Sequence, residues 1–364
     1  MKYSTSLALA CLLASGSACA QSSVQIYGLI DAGLSWVSNE GGHSNFKFAD
    51  GIYTPTLFGL LGSEDLGGGT KAVFRLESQY QIGGGNILPG EGLFGREAYV
   101  GLQDTHYGSL TLGNQFDFMF ESLARAHNDP AFFSGGLYAF RAGPFTGLDI
   151  PNNPTGGFDW DRLAGEQVHN SLKYQSPTWA GVRVGAMYAF GGVPGQFSAG
   201  SAVSFGVNYD HGPFGMGGAY TEVRYAGATP VDPLVPVRNW GVGAHYDFGK
   251  VIAAALFTTV RNRFNGAAVY AAEAGASWTI TPAWTLAGNY TYMKGNDTVS
   301  NAHANQLAAT FSYSLSKRTL VYVQGIYQRA NSGADALICG VVDADAASSS
   351  PTQAIARAGI QTSF

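Results

Sequence analysis

Residues 24–36 alternate strictly: Val24, Ile26, Gly28, Ile30, Ala32, Leu34 and Trp36 share one parity, and Gln25, Tyr27, Leu29, Asp31, Gly33 and Ser35 share the other. A β-strand sends successive side chains to opposite faces, so one face of this segment is apolar along its whole length. The pattern recurs. Trp240, Val242, Ala244, Tyr246 and Phe248 stand against Asn239, Gly241, Gly243, His245 and Asp247; Leu307, Ala309, Phe311, Tyr313 and Leu315 stand against Gln306, Ala308, Thr310, Ser312 and Ser314. Trp284, Leu286, Gly288, Tyr290 and Tyr292 repeat it against Ala283, Thr285, Ala287, Asn289 and Thr291, and aromatic side chains gather at the strand ends.

An apolar face on so many strands has to meet either a packed core or lipid. Past residue 20 no run of 18 apolar residues occurs, which excludes a transmembrane helix. The second face decides between the remaining architectures. In a soluble sandwich it meets bulk water and carries many Lys and Glu, whereas only 12% of this chain is charged and 50 of its residues are glycine. Small or polar residues on one face, lipid-compatible ones on the other and strands of about ten residues are the pattern of a transmembrane barrel, which pairs by closure every backbone group that lipid cannot satisfy.

Turn signals then give the strand number. Short connections fall at Ser63 to Thr70, Asp104 to Gly108, Ser176 to Gly181, Asp210 to Pro213, Asp247 to Lys250, Thr281-Pro282 and Ser316 to Arg318. Longer polar or Gly/Pro-rich segments lie between them, at 37–52, 81–93, 115–168, 191–200, 227–235, 263–269, 295–302 and 331–352. Eight long loops alternating with seven short turns predict an all-β fold, a 16-stranded antiparallel transmembrane β-barrel with both termini on the short-turn side. A barrel of that size is wide enough for an aqueous channel. Residues 21–364 are read as one such domain.

The first 20 residues read as a cleaved signal peptide: Lys2, an apolar run from Leu7 to Leu13, and the small-residue triplet Ala18-Cys19-Ala20 before Gln21. Cys19 in a lipoprotein signal would need a leucine where Gly16 stands. Cleavage removes one lysine and two of three cysteines, so the formal charge moves from −5 to −6 and, with Cys339 the remaining cysteine, no internal disulfide is expected. The acidic balance argues against a nucleic-acid partner.

"VQIYGLIDAGLSWV", "GSEDLGGGTKAVFRLE", "REAYVGL", "LGNQ" and "NSLKYQSPTWAGV" occur in this order, and the chain ends in Phe364. Together they resemble the recurrent motifs of trimeric general-diffusion porins of the neisserial and beta-proteobacterial type, from one end of the barrel to the other, with the loops unmatched. The resemblance implies an outer-membrane homotrimer surrounded by lipid, each subunit passing small hydrophilic solutes and ions, and a third long loop folded into the barrel to narrow it. Here that loop is the longest segment without strand character, and "FDFMFESLARAHNDP", residues 116–130, has the spacing of a short helix.

In such a channel, wall and loop charges set local ion concentrations while diameter sets size exclusion. Parity places Asp31, Lys71, Arg75, Glu77, Lys173, Arg183 and Arg357 on the lumen face, and the loop offers Asp117, Glu121 and Asp129. Arg75, Arg96 and Arg183 are read as wall cations opposite Asp117 and Glu121. Simple alternation groups Arg96 with the lipid-facing Ala98, Val100 and Leu102, whereas the resemblance makes it a lumen cation; a bulge or a strand end would reconcile the two. Relatives of this type carry basic residues where Leu57, Leu61, Asn114, Gln167, Gln361 and Ser363 stand here, so the chain is expected to be weakly selective or to lean toward cations, with an apolar patch near Leu57 and Leu61.

An enzyme is not expected: the seven histidines are scattered, without a G-x-S-x-G or H-E-x-x-H context. Nor is a metal or cofactor, because no Cys pair or ligand-like His spacing exists. An alternative to general diffusion is a substrate-specific channel, in which Phe116, Phe118, Phe120, Phe132, Phe133, Tyr138 and Phe140 of the loop form an aromatic affinity site instead of packing it against the wall. "GGGTK" at 67–71 is a turn, since the phosphate-loop order G-K-[ST] is absent.

Overall fold

A computed structural model describes residues 23–88, 92–153, 157–226, 234–340 and 347–364. The expected signal peptide lies outside these residues, as do most of the long segment at 227–235 and parts of those at 81–93, 115–168 and 331–352. Among the described residues sixteen antiparallel strands close on themselves. They are β1 (Ser23–Glu40), β2 (in two segments, His43–Asp50 and Leu57–Gly67), β3 (Thr70–Gln81), β4 (Glu97–Asp104), β5 (Gly108–Phe116), β6 (Gln167–Gln175), β7 (Val182–Ala189) and β8 (Ala202–His211). The second half comprises β9 (Phe214–Tyr225), β10 (Val235–Asp247), β11 (Val251–Asn262), β12 (Ala268–Thr279), β13 (Trp284–Gly295), β14 (His303–Ser314), β15 (Thr319–Ala330) and β16 (Thr352–Ser363).

Closure falls between β1 and β16, with Leu29 opposite Ser363 and Val37 opposite Ile355. The last residue completes it: Phe364 and Gly28 exchange backbone hydrogen bonds of 3.0 and 3.2 Å. Gly28 has no side chain because the Phe364 ring lies over it, 2.3 Å from where a Cβ would stand. The apolar parity read from residues 24–36 points outward, where Val24, Ile26, Leu34 and Trp36 are exposed, as lipid contact requires.

The segment 37–52 departs from the expected long loop. β1 continues to Glu40, turns at Gly41-Gly42 and returns as the first segment of β2, with Trp36 opposite Phe46 and Leu34 opposite Phe48. The break comes later, at 51–56, where the chain leaves the ladder before rejoining β1 at Leu57 opposite Leu29. Asp31 makes this detour possible. Its buried carboxylate accepts the backbone N–H groups of Ile52 (2.9 Å) and Tyr53 (3.0 Å) and the Tyr322 hydroxyl (2.7 Å), and pairs with Arg357 at 3.3 Å. An interrupted ladder leaves donors that need acceptors, and one carboxylate supplies several. Asp31→Ala leaves these donors and a buried guanidinium unmatched, at a cost of about 3–5 kcal/mol; the expected result is a folded form that unfolds at clearly lower temperature on semi-native gels, with Asp31→Asn in between.

Candidate pore constriction

The segment between β5 and β6 runs inside the barrel, and the small or polar wall face is what it docks on. Ser204 of β8 accepts the Phe118 N–H at 3.0 Å, and Asn208 donates to Ser122 O at 3.0 Å. Further along, Thr310 and Gln306 of β14 donate to Ser134 O (2.7 Å) and Ala139 O (2.9 Å), and Gln328 of β15 to Ala142 O (3.0 Å). The loop then returns along β11 and β10, held by Asn262 to Leu148 O (3.0 Å), Thr258 to Asp161 (2.6 Å) and Asn239 to Trp160 O (2.9 Å). The expected short helix is a single π-helical turn, Phe120–Ala124, followed by a turn of α-helix, Ala131–Ser134. At the loop tip Leu137 N–H donates to Ile52 O at 2.7 Å, so the loop rests on the break in β2. Gly136 permits this approach, with φ +57° and no room for a Cβ, which would lie 2.3 Å from Ile52 O.

One fully buried cation fastens the loop to the wall. Arg141 binds both Asp129 oxygens (3.0 and 2.8 Å), Asp161 (2.8 Å) and, on β12, Glu273 (2.8 Å). Each of these charged groups is almost fully shielded from water, so the guanidinium is their counter-charge and bridge. Nearby, burial pushes the Asp159 carboxyl well above its usual range, and Asp161 pushes it the same way. Strand parity could not bring these groups together: Arg141 and Asp161 lie in the loop, and Glu273, on β12, is 132 residues from Arg141.

A second cluster sits where loop and wall approach β3 to β6. Arg75 pairs with Glu97 at 2.6 Å, and Arg96 pairs with Glu77 at 2.8 Å while donating to Gln79 at 2.8 Å. Arg125 reaches Glu121 at 2.9 Å and Glu97 at 3.6 Å, and Lys173 reaches Glu121 at 2.9 Å. Burial alone would raise the Glu121 carboxyl, but Lys173 and Arg125 outweigh it and hold it below the usual range. Four cations therefore share three carboxylates. The apparent conflict over Arg96 resolves at the strand end: β4 begins at Glu97, so Arg96 stands one residue before it and lies over the Phe116 ring, 5.0 Å from its centre.

The pairings differ from the expected opposition of Arg75, Arg96 and Arg183 to Asp117 and Glu121. Asp117 is buried against Arg162, which also reaches Glu166 at 2.8 Å, and its carboxylate caps the turn through Met119 N–H at 2.9 Å. Asp129 belongs to the Arg141 cluster and Asp31 to the β2 break. Glu77 also accepts the Tyr27 hydroxyl at 2.6 Å. Arg183 and Lys71 are exposed near the short-turn end, in no ion pair among the described residues. Sequence parity missed Arg125 and Arg162 because neither is on a strand; the alternation of Glu97 with Ala98, Val100 and Leu102 was the one available signal for Glu97.

Beside the second cluster a small opening is lined by Tyr53, Pro55, Leu57, Arg96, Phe120, Phe132 and Phe140. Phe116, Phe118, Phe120, Tyr138 and Phe140 are buried and pack the loop, whereas Phe132 is 42% exposed into the opening. A closed barrel with a loop inserted against its ion-paired wall has the parts of a channel. A model of the Gram-negative porin family matches residues 5–333. The chain belongs to that family. It is 27% identical over 382 residues to an outer membrane porin protein of Bordetella pertussis, covering 89% of this chain and 94% of the relative. It is 30% identical over 329 residues to outer membrane porin protein 32 of Delftia acidovorans, covering 87% and 86%. An anion-selective porin from Comamonas acidovorans shares the fold at a TM-score of 0.77 and 22% identity, covering 94% of this chain and all of that one. As a Gram-negative porin, the barrel crosses the outer membrane and encloses a diffusion channel.

Proposed function

We propose that the pore passes small hydrophilic solutes with weak charge selectivity, its constriction formed by the inserted loop against β3 to β6. The observation that carries this reading is the pairing of Arg75, Arg96, Arg125 and Lys173 with Glu77, Glu97 and Glu121. Charges paired at about 3 Å present a passing ion with local dipoles and a small net field. Leu57 and Leu61 add no charge to that balance. The same proposal includes cleavage after residue 20, assembly as a homotrimer, and transport without catalysis. Liposome swelling tests it: uptake rates for neutral, anionic and cationic solutes of matched size should coincide and fall only with size. A severalfold advantage for one sign would contradict the reading.

A second reading rests on the exposure of Phe132 opposite Tyr53 and Leu57. Solutes with a flat apolar face would then linger there, and such a solute should block single-channel current at saturable concentration, with Phe132→Ala removing the block.

A further inference from the structure

Near the end of the barrel that carries the long loops, the outer face bears a charged arc. Parity is fixed there by the loop: Thr221, Asn239 and Thr258 bond inward, to Ser204, Trp160 O and Asp161. Glu222, Arg238 and Arg261 consequently face outward, in register across β9, β10 and β11. Two residues deeper on that same face stand Tyr220 and Trp240, and the Trp240 ring lies 5.4 Å from Phe257. Aromatic girdles mark the level where acyl chains give way to headgroups, so the charged row lies at headgroup depth.

The charges in this row do not cancel. Glu222 accepts from Arg224 Nε (3.0 Å), Arg238 Nη2 (3.1 Å) and the Tyr220 hydroxyl (3.1 Å), and lies 3.5 Å from Arg263 Nη1. The carboxylate is nearly covered while the three arginine side chains remain 38%, 38% and 48% exposed. No second carboxylate pairs with them among the described residues. Arg261 and, on β13, Lys294 extend the positive arc, and the shielded Nε of Arg238 has no acceptor. In a chain of net charge −5, this is a concentrated excess of guanidinium facing the membrane.

We infer that the arc binds the phosphate of an anionic lipid of the outer leaflet: Arg224, Arg238 and Arg263 take the phosphate oxygens, and Tyr220 and Trp240 rest on the acyl chains below. Guanidiniums match phosphate geometry in pairs of parallel hydrogen bonds. Glu222 holds them together before the lipid arrives. The inference rests on the extracellular orientation of the long loops and is independent of the pore's selectivity.

Native mass spectrometry of the purified full barrel in detergent tests it, using a phosphorylated glucosamine lipid, its dephosphorylated counterpart and inorganic phosphate. The wild type should retain the phosphorylated lipid at least about tenfold more tightly, the scale set by a few surface arginines, and inorganic phosphate should not displace it. The triple variant Arg224→Gln, Arg238→Gln and Arg263→Gln should treat both lipids alike, while Lys250→Gln at a short turn keeps the wild-type preference. Equal retention of the two lipids by wild type overturns the inference whether or not the variant folds. Displacement by inorganic phosphate, or an unchanged preference in the triple variant, overturns it too. Unchanged single-channel conductance in the triple variant is expected in every case and separates this site from the pore.

Discussion

Arg141→Gln should detach the inserted loop. The substitution leaves Asp129, Asp161 and Glu273 facing one another without a cation, all of them shielded from water. Removing one partner from a buried ionic cluster costs about 3–5 kcal/mol, because the remaining charges stay desolvated. The barrel ladder does not pass through these groups, so strands should survive while the loop leaves the wall. The expected recording is a larger, noisier single-channel current and a lower temperature for loss of the folded form. The control is a charge-neutral replacement: Arg141→Met combined with Asp129→Asn, Asp161→Asn and Glu273→Gln removes every charge together, and should restore much of the thermal stability. An Arg141→Gln current indistinguishable from wild type would show that other contacts suffice to hold the loop.

The second large effect is on charge. Glu97→Gln with Glu121→Gln leaves Arg75, Arg125 and Lys173 without their carboxylates, and Glu77 opposite Arg96 as the remaining acid of the cluster. A narrow passage lined by one sign concentrates the opposite ion tenfold or more. Chloride permeability relative to potassium should therefore rise by roughly tenfold, and fall back as salt shortens the Debye length. Arg75→Gln alone, which leaves Glu97 facing Arg125, should move the ratio a little toward potassium.

How much of this was written in the sequence follows from where the determinants lie. Strand number and inward parity were legible because lipid imposes alternation on every strand and each short turn has local chemistry, as at Gly67-Gly68-Gly69. The hairpin at Gly41-Gly42 was hidden by the polar, Gly-rich character of 37–52, although Phe46 and Phe48 alternating with Asn45 and Lys47 did mark a strand. The break at 51–56 could not be read locally, since Asp31, Tyr322 and Arg357 stabilise it from three other strands. Parity could assign Arg75, Glu77 and Lys173 to a face of their strands but could not choose their partners. Those depend on the path of the loop, set by contacts such as Arg141 to Glu273 and Thr310 to Ser134 that join residues more than a hundred positions apart.

The balance of charge at the constriction is tested most directly by the reversal potential of the purified wild-type protein in a planar bilayer under a KCl gradient. Pairing of Arg75, Arg96, Arg125 and Lys173 with Glu77, Glu97 and Glu121 predicts a value near zero, small against the limit set by a channel for one ion. A potential close to the chloride limit would contradict it, because it would require wall cations free of the carboxylates that pair with them here.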